Sequence, residues 1–295
     1  MARIFPSDTV RTTTLDAGGW GSGAFGDRAN KRSPGGNPLT GPFHVEGAVP
    51  GDVLVVRLHR VALNRGWAFS GTQLMESAID PSYATERREA RQDDKWILDR
   101  SRGVARIEVP PPGLQAFEVP LTPFLGVVAV APGGTGTPSA RESGAYGGNL
   151  EYARLREGAT IYLPVRTLGA NLYIGDGHAA QGDGELTGDA METSLDVTFS
   201  VDLIRWGFQN ITRAEDAEGI MSIGVGGSLD EAMRRATSDM ARWLEKDYGL
   251  TSTEVALVMG MSLRYDIPDI VPPDYGVTAR LPRSALTQIR RPQRK

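Results

Sequence analysis

The clearest pattern in the chain is a strict alternation of apolar and polar side chains over residues 195–203, LDVTFSVDL. A period of two predicts a long, half-buried strand with one face in water. Residues 52–63 predict another strand, because Leu54, Val56 and Leu58 are apolar and lie two apart. The chain is therefore expected to build sheets with one solvated face.

Shorter runs add to the β character. Residues 10–15 and the apolar residues 125–132 predict strands, the second of them buried. Residues 160–165 and 170–174 predict two short strands with a turn at Gly169. Mixed charges fill residues 84–106, and a run of that kind is typical of a solvated helix or loop.

Helical patterns come late in the chain. Residues 228–231, SLDE, form a capping box before a stretch with apolar residues on one side, and Gly249 is a suitable stop. The pattern repeats in TSTE, residues 251–254, which predicts a shorter helix over about 254–262. The region after Ile267 is expected to be extended.

Composition supports a mainly β fold. The 295 residues include 36 glycines and 19 prolines, and a glycine excess indicates many tight turns. We expect a mainly β protein with an α+β C-terminal part. Residues 1–205 would form a β-rich core, and residues 206–295 a C-terminal α/β part with two helices packed on that core.

Several function classes are disfavoured. With no cysteine there is no disulfide, thiolate metal site or cysteine nucleophile. The net charge of −4 gives no support to nucleic-acid binding. The apolar run 124–132 is too short to span a bilayer, and MARIFPSDTV does not resemble a secretory signal, so a cytoplasmic protein without membrane contact is expected. Motifs for a serine nucleophile elbow or a P-loop are absent.

The densest polar constellation is GDGHAAQGDGE, residues 175–185, directly after an apolar strand. Its acids and His178 form a donor set suited to zinc or another divalent ion. A metal held there could polarise a carbonyl, and a remaining carboxylate could act as general base. The alternative is an ordinary turn, because Asp-Gly pairs are common in hairpins.

Three further residues have both a structural and a functional interpretation. Asp16 is either a turn-starting aspartate or a ligand, and Glu192 either a surface acid or a ligand. His44 lies in a short apolar context and is either packed in the protein or a ligand. The sequence pattern alone leaves these alternatives open.

The chain resembles the acetamidase/formamidase family. The motifs that carry the resemblance are NPLTGPFHVEGA (37–48) with PGD (50–52), GGN (147–149), and above all residues 175–185 with Glu192. The resemblance implies a β-sandwich-like core, a homo-oligomer, and hydrolysis of small linear amides to a carboxylate and ammonia. Other C–N bonds, including those of lactams, are also attacked in the family. A divalent metal belongs to the site; zinc is expected, with calcium or another divalent ion as alternatives.

Roles for individual residues follow from the resemblance as hypotheses. The metal ligands would be Asp16, His178 and Glu192, with Glu185 as general base and Asp183 orienting the ligands. The substrate contacts would come from Asn149, as donor to the carbonyl, and from Tyr146, His44 and Gln181.

The middle of the chain departs from the family pattern His-Gly-Gly-Asn-x-Asp-x-Lys. Tyr146, Glu151 and Ala153 replace the His, Asp and Lys, and His44 stands where a tyrosine is common. Loss of a lysine removes a charge that could hold an oxyanion. The leading hypothesis is an amidohydrolase with an altered substrate; the alternative is a non-catalytic binding or scaffold protein that keeps the fold.

Overall fold

The computed structural model describes residues 1–24, 30–86 and 92–289. The strands are β1 (Ala2–Ile4), β2 (Thr9–Thr13), β3 (Leu39–Val45), β4 (Val53–Leu63), β5 (Trp67–Gly71), β6 (Asp93–Asp99), β7 (Val104–Ile107), β8 (Glu118–Pro120), β9 (Phe124–Ala129), β10 (Ser143–Gly144), β11 (Gly147–Asn149), β12 (Thr160–Pro164), β13 (Leu172–His178), β14 (Glu192–Thr193), β15 (Leu195–Ile204), β16 (Arg213–Glu215), β17 (Gly219–Gly226), β18 (Arg264–Asp269) and β19 (Tyr275–Pro282). The helices are α1 (Pro81–Glu86), α2 (Leu229–Tyr248), α3 (Ser252–Ser262) and α4 (Arg283–Leu286).

The strands form two sheets. The first has the order β10-β11-β9-β13-β14-β5-β6-β7-β8, and β3 also pairs with β13 and, in parallel, with β1. The second has the order β18-β19-β17-β16-β12-β4-β15-β2. The predicted turn at Gly169 carries the chain from β12 in the second sheet to β13 in the first, so the two strands that flank it do not pair with each other.

The main hydrophobic core lies between the two sheets. Leu54 and Phe199 of the second sheet are fully buried in one cluster with Leu125 and Leu172 of the first. Phe43 and Phe199 meet edge to face across the interface, with ring centroids 5.3 Å apart. The odd positions of β15 from 195 to 201 are buried and the even ones are not, which confirms the predicted alternation and the sandwich.

The C-terminal part is α+β as expected. α2 packs on β17 and β19 and starts at Ser228, whose Oγ accepts a hydrogen bond from the Glu231 N–H, and it ends at Gly249 with φ of 69°. α3 has a complete capping box. The division at residue 205 stays a prediction; strands from both of its sides share the second sheet, where β12 pairs with β16. No helix in the described part of the chain is both long and apolar enough to cross a bilayer.

The prediction for the charged residues 84–106 was wrong. Residues 87–91 lie outside the described residues, and of the rest only 84–86 are helical, while β6 and β7 form a hairpin. Trp96 and Leu98 alternate toward a small buried cluster, while cross-strand ion pairs such as Lys95–Glu108 occupy the outer face. The apolar residues among the charges lie two apart, which favours strands, but the high density of charged residues made this period hard to recognise.

Candidate functional site

Five side chains of the first sheet and its loops meet at one buried point. Asp176 and His178 lie two apart on β13, and His178 is paired with Glu192 on β14. Glu151 follows β11, and Glu185 ends the short helical turn Asp183–Glu185. We call these five residues the acid–histidine cluster. Each is more than nine-tenths buried, so the cluster holds four carboxyl groups and one imidazole away from bulk water.

The imidazole lies at the centre of the cluster. His178 Nε2 is 3.1 Å from Glu192 Oε1 and 3.5 Å from Asp176 Oδ1, and Nδ1 is 3.3 Å from Glu151 Oε2. The donor atoms form two overlapping groups, each within 4.8 Å. One joins Glu151, Asp176 and His178, and the other joins His178 with Glu185 and Glu192.

The backbone around the cluster is strained. Glu151, Asp176 and Glu185 have φ of 50°, 53° and 47°, in the left-handed region that residues with a side chain rarely adopt. Such strain concentrates at functional sites, where the surrounding fold enforces it. Gly126 on β9 leaves the space that the acids need, because a Cβ there would lie 2.7 Å from Glu151 Oε2.

Gln181 fixes the orientation of the imidazole. Its Nε2 donates hydrogen bonds to the backbone oxygens of Glu151 (2.8 Å) and Pro268 (3.0 Å), so its Oε1 must face His178. Oε1 lies 3.1 Å from His178 Nδ1, which therefore carries the proton and donates it. In the neutral form of the imidazole, Nε2 then carries the lone pair, which is directed at Glu192 and Asp176.

Burial and the crowding of charged groups shift the pKa values of the cluster residues. Burial raises the pKa of Glu151 and Glu185 well above its usual range, and raises the pKa of Glu192 to about 8. Burial lowers the pKa of His178, but the carboxylates of Glu192, Glu151 and Asp176 outweigh it and raise that pKa well above its ordinary value. The cluster is thus short of positive charge.

These residues fit a divalent metal ion. Several buried atoms of the cluster, among them Glu151 Oε2, Asp176 Oδ1 and Glu192 Oε2, have no hydrogen-bond partner within the described residues, and neither does His178 Nε2. Buried polar atoms without partners are costly, and a cation would satisfy several at once. One imidazole nitrogen with carboxylate oxygens matches the donors that zinc takes in proteins.

A cavity of about 650 Å³ opens above the cluster. Glu185, the most exposed member of the cluster, lines it. Asn149 lines it too, and its Oδ1 accepts a hydrogen bond from Asn37 Nδ2 at 3.1 Å, which leaves the Asn149 amide N–H groups to donate. Asn37 Nδ2 also donates to Asp176 Oδ2 at 2.9 Å, so this amide ties Asn149 to the cluster.

The sequence model of the acetamidase/formamidase family matches residues 127–287, more than half of the chain. The chain belongs to the acetamidase/formamidase family. Its sequence is 28% identical to that of an acetamidase from Yersinia enterocolitica, and its fold matches the crystal structure of that acetamidase with a TM-score of 0.81 over 97% of this chain and 86% of that one. For a predicted acetamidase/formamidase from Thermoanaerobacter tengcongensis the identity is 26% and the TM-score 0.83, over 98% and 91% of the two chains.

A curated formamidase from Methylophilus methylotrophus is 26% identical over 234 residues, which is 63% of this chain and 57% of the formamidase. The chain therefore matches little more than half the length of that relative. The solved structures, in contrast, correspond to nearly the whole of this family member, and they confirm its β-rich fold with a helical C-terminal part.

In this family member Asp16 lies beside the cluster in an ion pair. Its Oδ2 is 2.5 Å from Arg65 Nη2, and its Oδ1 accepts a hydrogen bond from the Trp20 N–H. Burial raises the pKa of Asp16 more than Arg65 lowers it. Asp16 belongs to neither group of candidate metal ligands. The structure makes Asp16 the partner of a buried guanidinium, and its role as a metal ligand stays a prediction.

The structure places three more predicted residues away from the cluster. Asp183 is exposed and lines a separate cavity of about 170 Å³, since Gly184 with φ of 82° turns the chain between it and Glu185. Tyr146 lines another cavity, of about 340 Å³, against the sandwich core, where burial raises its pKa to about 12. His44 Nδ1 is 3.2 Å from Asn171 Oδ1, beyond the far end of β13.

The remaining predicted residues do gather. His178, Glu185 and Glu192 belong to the cluster, Asn149 lines the cavity, and Gln181 contacts His178 rather than the cavity.

From the sequence, no individual role was assigned to several residues that lie at the site. They are Asp176 and Glu151 in the cluster, and Asn37 and Arg65 around it. Asp176 was detectable, because it lies in the same glycine-rich loop as His178. Glu151 was noted only as a departure from the family pattern, although a glutamate keeps the carboxylate. Arg65 follows a strand without any motif, and only the fold brings it to Asp16 and to the Glu192 backbone oxygen, 3.0 Å from its Nη2.

Proposed function

We propose that the protein is a metal-dependent amidohydrolase that cleaves the C–N bond of a small amide. The observation that carries the proposal is the buried acid–histidine cluster at the floor of an open cavity, with several donor atoms that have no hydrogen-bond partner within the described residues. The names of the relatives agree with this chemistry, since they are acetamidases and a formamidase.

The ligands of the metal would be His178 through Nε2 and carboxylates of Asp176, Glu151 and Glu192. A divalent ion at this point would supply Lewis acidity that polarises the amide carbonyl. The imidazole donor favours zinc over calcium, which prefers oxygen ligands alone. Binding requires a neutral imidazole, and the Gln181 contact holds His178 in the tautomer that offers Nε2.

Glu185 would be the general base. Its Oε1 accepts a hydrogen bond from the Ala190 N–H at 3.0 Å, which positions the carboxylate, and it lines the cavity. Burial raises its pKa well above its usual range, which makes the carboxylate a stronger base. Glu185 takes a proton from the attacking water, whose oxygen bonds to the carbonyl carbon, and passes it to the leaving nitrogen. The products are a carboxylate and ammonia.

Asn149 would hold the substrate carbonyl. Its amide nitrogen is free to donate while Asn37 fixes its oxygen. A preorganised donor of this kind stabilises the negative charge that develops on the carbonyl oxygen. Tyr146 lines a different cavity from the one above the cluster, so its phenol would not occupy the metal site.

The test is metal analysis and ammonia release on one preparation. Formamide, acetamide and a small lactam are assayed before and after chelation and after zinc, calcium or manganese is restored. Glu185→Gln is expected to lower kcat by about 10²- to 10⁴-fold, the usual contribution of a general base. Glu245→Gln, on the exposed side of α2, is the matched control with unchanged turnover.

Turnover that persists after complete metal removal would reject the metal. An unchanged rate in Glu185→Gln would reject the general base. Stoichiometric metal without turnover of any amide would favour the alternative of a binding protein. The expectations of a homo-oligomer and of a cytoplasmic location remain predictions from the sequence.

A further inference from the structure

The cavity above the cluster is much larger than the smallest amides require. About 650 Å³ lies in the range of pockets that hold drug-sized ligands. Acetamide has only four non-hydrogen atoms. An amide bound at the cluster would therefore leave most of the cavity to a further part of the substrate, and the chemistry of the remaining wall indicates what that part is.

Two cationic side chains line this cavity, Lys31 and Arg141, and both residues are exposed. Among residues 1–24, 30–86 and 92–289 neither side chain makes an ion pair; the Lys31 ammonium lies 5.5 Å from the Trp20 ring centroid, and Arg141 hydrogen-bonds only through its backbone N–H. Cationic side chains that lie on the wall of a cavity and outside ion pairs are suited to bind an anion. Arg141 has the planar fork that matches a carboxylate, and Lys31 adds a point charge.

The floor of the cavity is suited to the amide end of the substrate, opposite to the end that the two cations would bind. The cluster would hold the metal and the general base of the proposed function, so the scissile amide is the part of the substrate that must reach the floor. Two acids, Asp93 and Asp189, also line the wall. A metal at the floor and two cationic side chains on the wall would together orient a substrate that has an amide at one end and an anionic group at the other.

We propose that the substrate is an amide carrying a carboxylate several bonds from the scissile C–N bond, such as the monoamide of a dicarboxylic acid. Arg141 and Lys31 bind the carboxylate, and the amide points to the acid–histidine cluster. This proposal rests on the proposed amidohydrolase function and names its substrate class. It also gives the large cavity a use that acetamide or formamide would not.

The test compares amides of similar size and different charge. The monoamide of succinic acid is anionic, its methyl ester is neutral, and β-alaninamide is cationic. We expect kcat/KM for the anionic amide to exceed that of the ester by 10-fold or more. Arg141→Gln should lower this preference about 10- to 100-fold, as expected for loss of a charge-assisted, two-pronged hydrogen bond, mainly through KM. Lys31→Met should lower it less, because an ammonium is a single strongly hydrated charge.

Arg32→Gln is the matched control. Arg32 is exposed, next to Lys31 in the chain, and does not line the cavity. The preference for the anion should survive this change, whereas an equal loss in Arg32→Gln and Arg141→Gln would indicate only long-range attraction and overturn the assigned contacts.

The outcomes separate this proposal from the proposed function. If all amides are hydrolysed but the anionic one is not preferred, or if the cationic one is best, the substrate class is wrong and the amidohydrolase stands. If none is hydrolysed, the proposed function fails. Calorimetric titration with the monoamide then tests whether the cavity wall binds the carboxylate. Binding that Arg141→Gln abolishes supports the carboxylate site, whereas absence of binding to the unmodified protein overturns it.

Discussion

Replacing Gln181 by methionine is the sharpest test of how His178 is oriented. The side chain has nearly the same length but can neither accept from His178 Nδ1 nor donate to the backbone oxygens of Glu151 and Pro268. Without the amide oxygen, only the longer contact to Glu151 Oε2, at 3.3 Å, holds the proton on Nδ1. The proton can then move to Nε2, where it blocks the lone pair that faces the carboxylates. We therefore expect Gln181→Met to lower metal affinity and kcat/KM by about 10- to 100-fold, the usual effect of losing the partner of a ligating histidine.

The same variant loses stability for a separate reason. Two backbone oxygens lose their donor, and each unsatisfied buried acceptor costs about 1–3 kcal/mol, so the free energy of unfolding should fall by about 2–6 kcal/mol. Gln209 offers a matched control, because its Nε2 donates to the backbone oxygens of Tyr162 (2.7 Å) and Ile211 (2.6 Å), outside the site. Gln209→Met should lose comparable stability and keep its metal affinity.

The assays are urea unfolding for both variants, chelator competition for metal affinity, and ammonia release for kcat/KM. The reasoning is refuted if Gln181→Met and Gln209→Met lose equal stability and Gln181→Met still binds metal and turns over substrate like the unmodified protein. In that case the tautomer of His178 would not depend on Gln181, and the contact would be structural only.

Three further changes test the surroundings of the site and the fold. Gly126→Ala places a Cβ 2.7 Å from a cluster carboxylate, so metal content and turnover should fall by at least about 10-fold, since this close contact displaces a ligand. The control Gly66→Ala has open space around it and should keep both metal content and turnover. Equal behaviour of the two variants would count against a crowded cluster. Burial raises the pKa of Asp269 to about 7. The stability that the protonated side chain contributes is therefore full below about pH 4 and is lost as the pH rises to 7. Between those pH values, the free energy of unfolding of Asp269→Asn should rise by roughly 4 kcal/mol relative to that of the unmodified protein, as measured by denaturant titrations. A pH-independent difference would contradict that shift. Ser228→Ala removes the N-cap of α2 and should lower stability by about 1 kcal/mol without changing turnover, whereas an effect on kcat would show that α2 reaches the site.

Local patterns were sufficient for most of the fold. The alternation in β15, the apolar run of β9 and the capping residues of α2 and α3 all predicted elements that the structure contains, because side-chain periodicity and caps act within one or two turns of chain. The hairpin of β6 and β7 was not predicted, since its strands carry charges on the outer face and only Trp96 and Leu98 mark the inner face.

The site was predicted only where its residues are close in sequence. His178 and Glu185 stand in one loop, and Glu192 opens the strand that pairs with β13, so the motif located the chemistry. Residue type could not show which neighbours would complete it. Asp183, two positions from Glu185, turns to a different cavity because of one backbone dihedral at Gly184.

By itself, the sequence determined the mainly β fold, its helical C-terminal part and the loop that supplies the histidine and several acids. Only the tertiary structure decided which acids meet that histidine. It brings Glu151 from another loop into the cluster, pairs Asp16 with Arg65, and places Lys31 and Arg141 on the wall of one cavity. Pairing of distant strands and the close approach of loops set these distances, and no local pattern of residues encodes a contact made across the sheet.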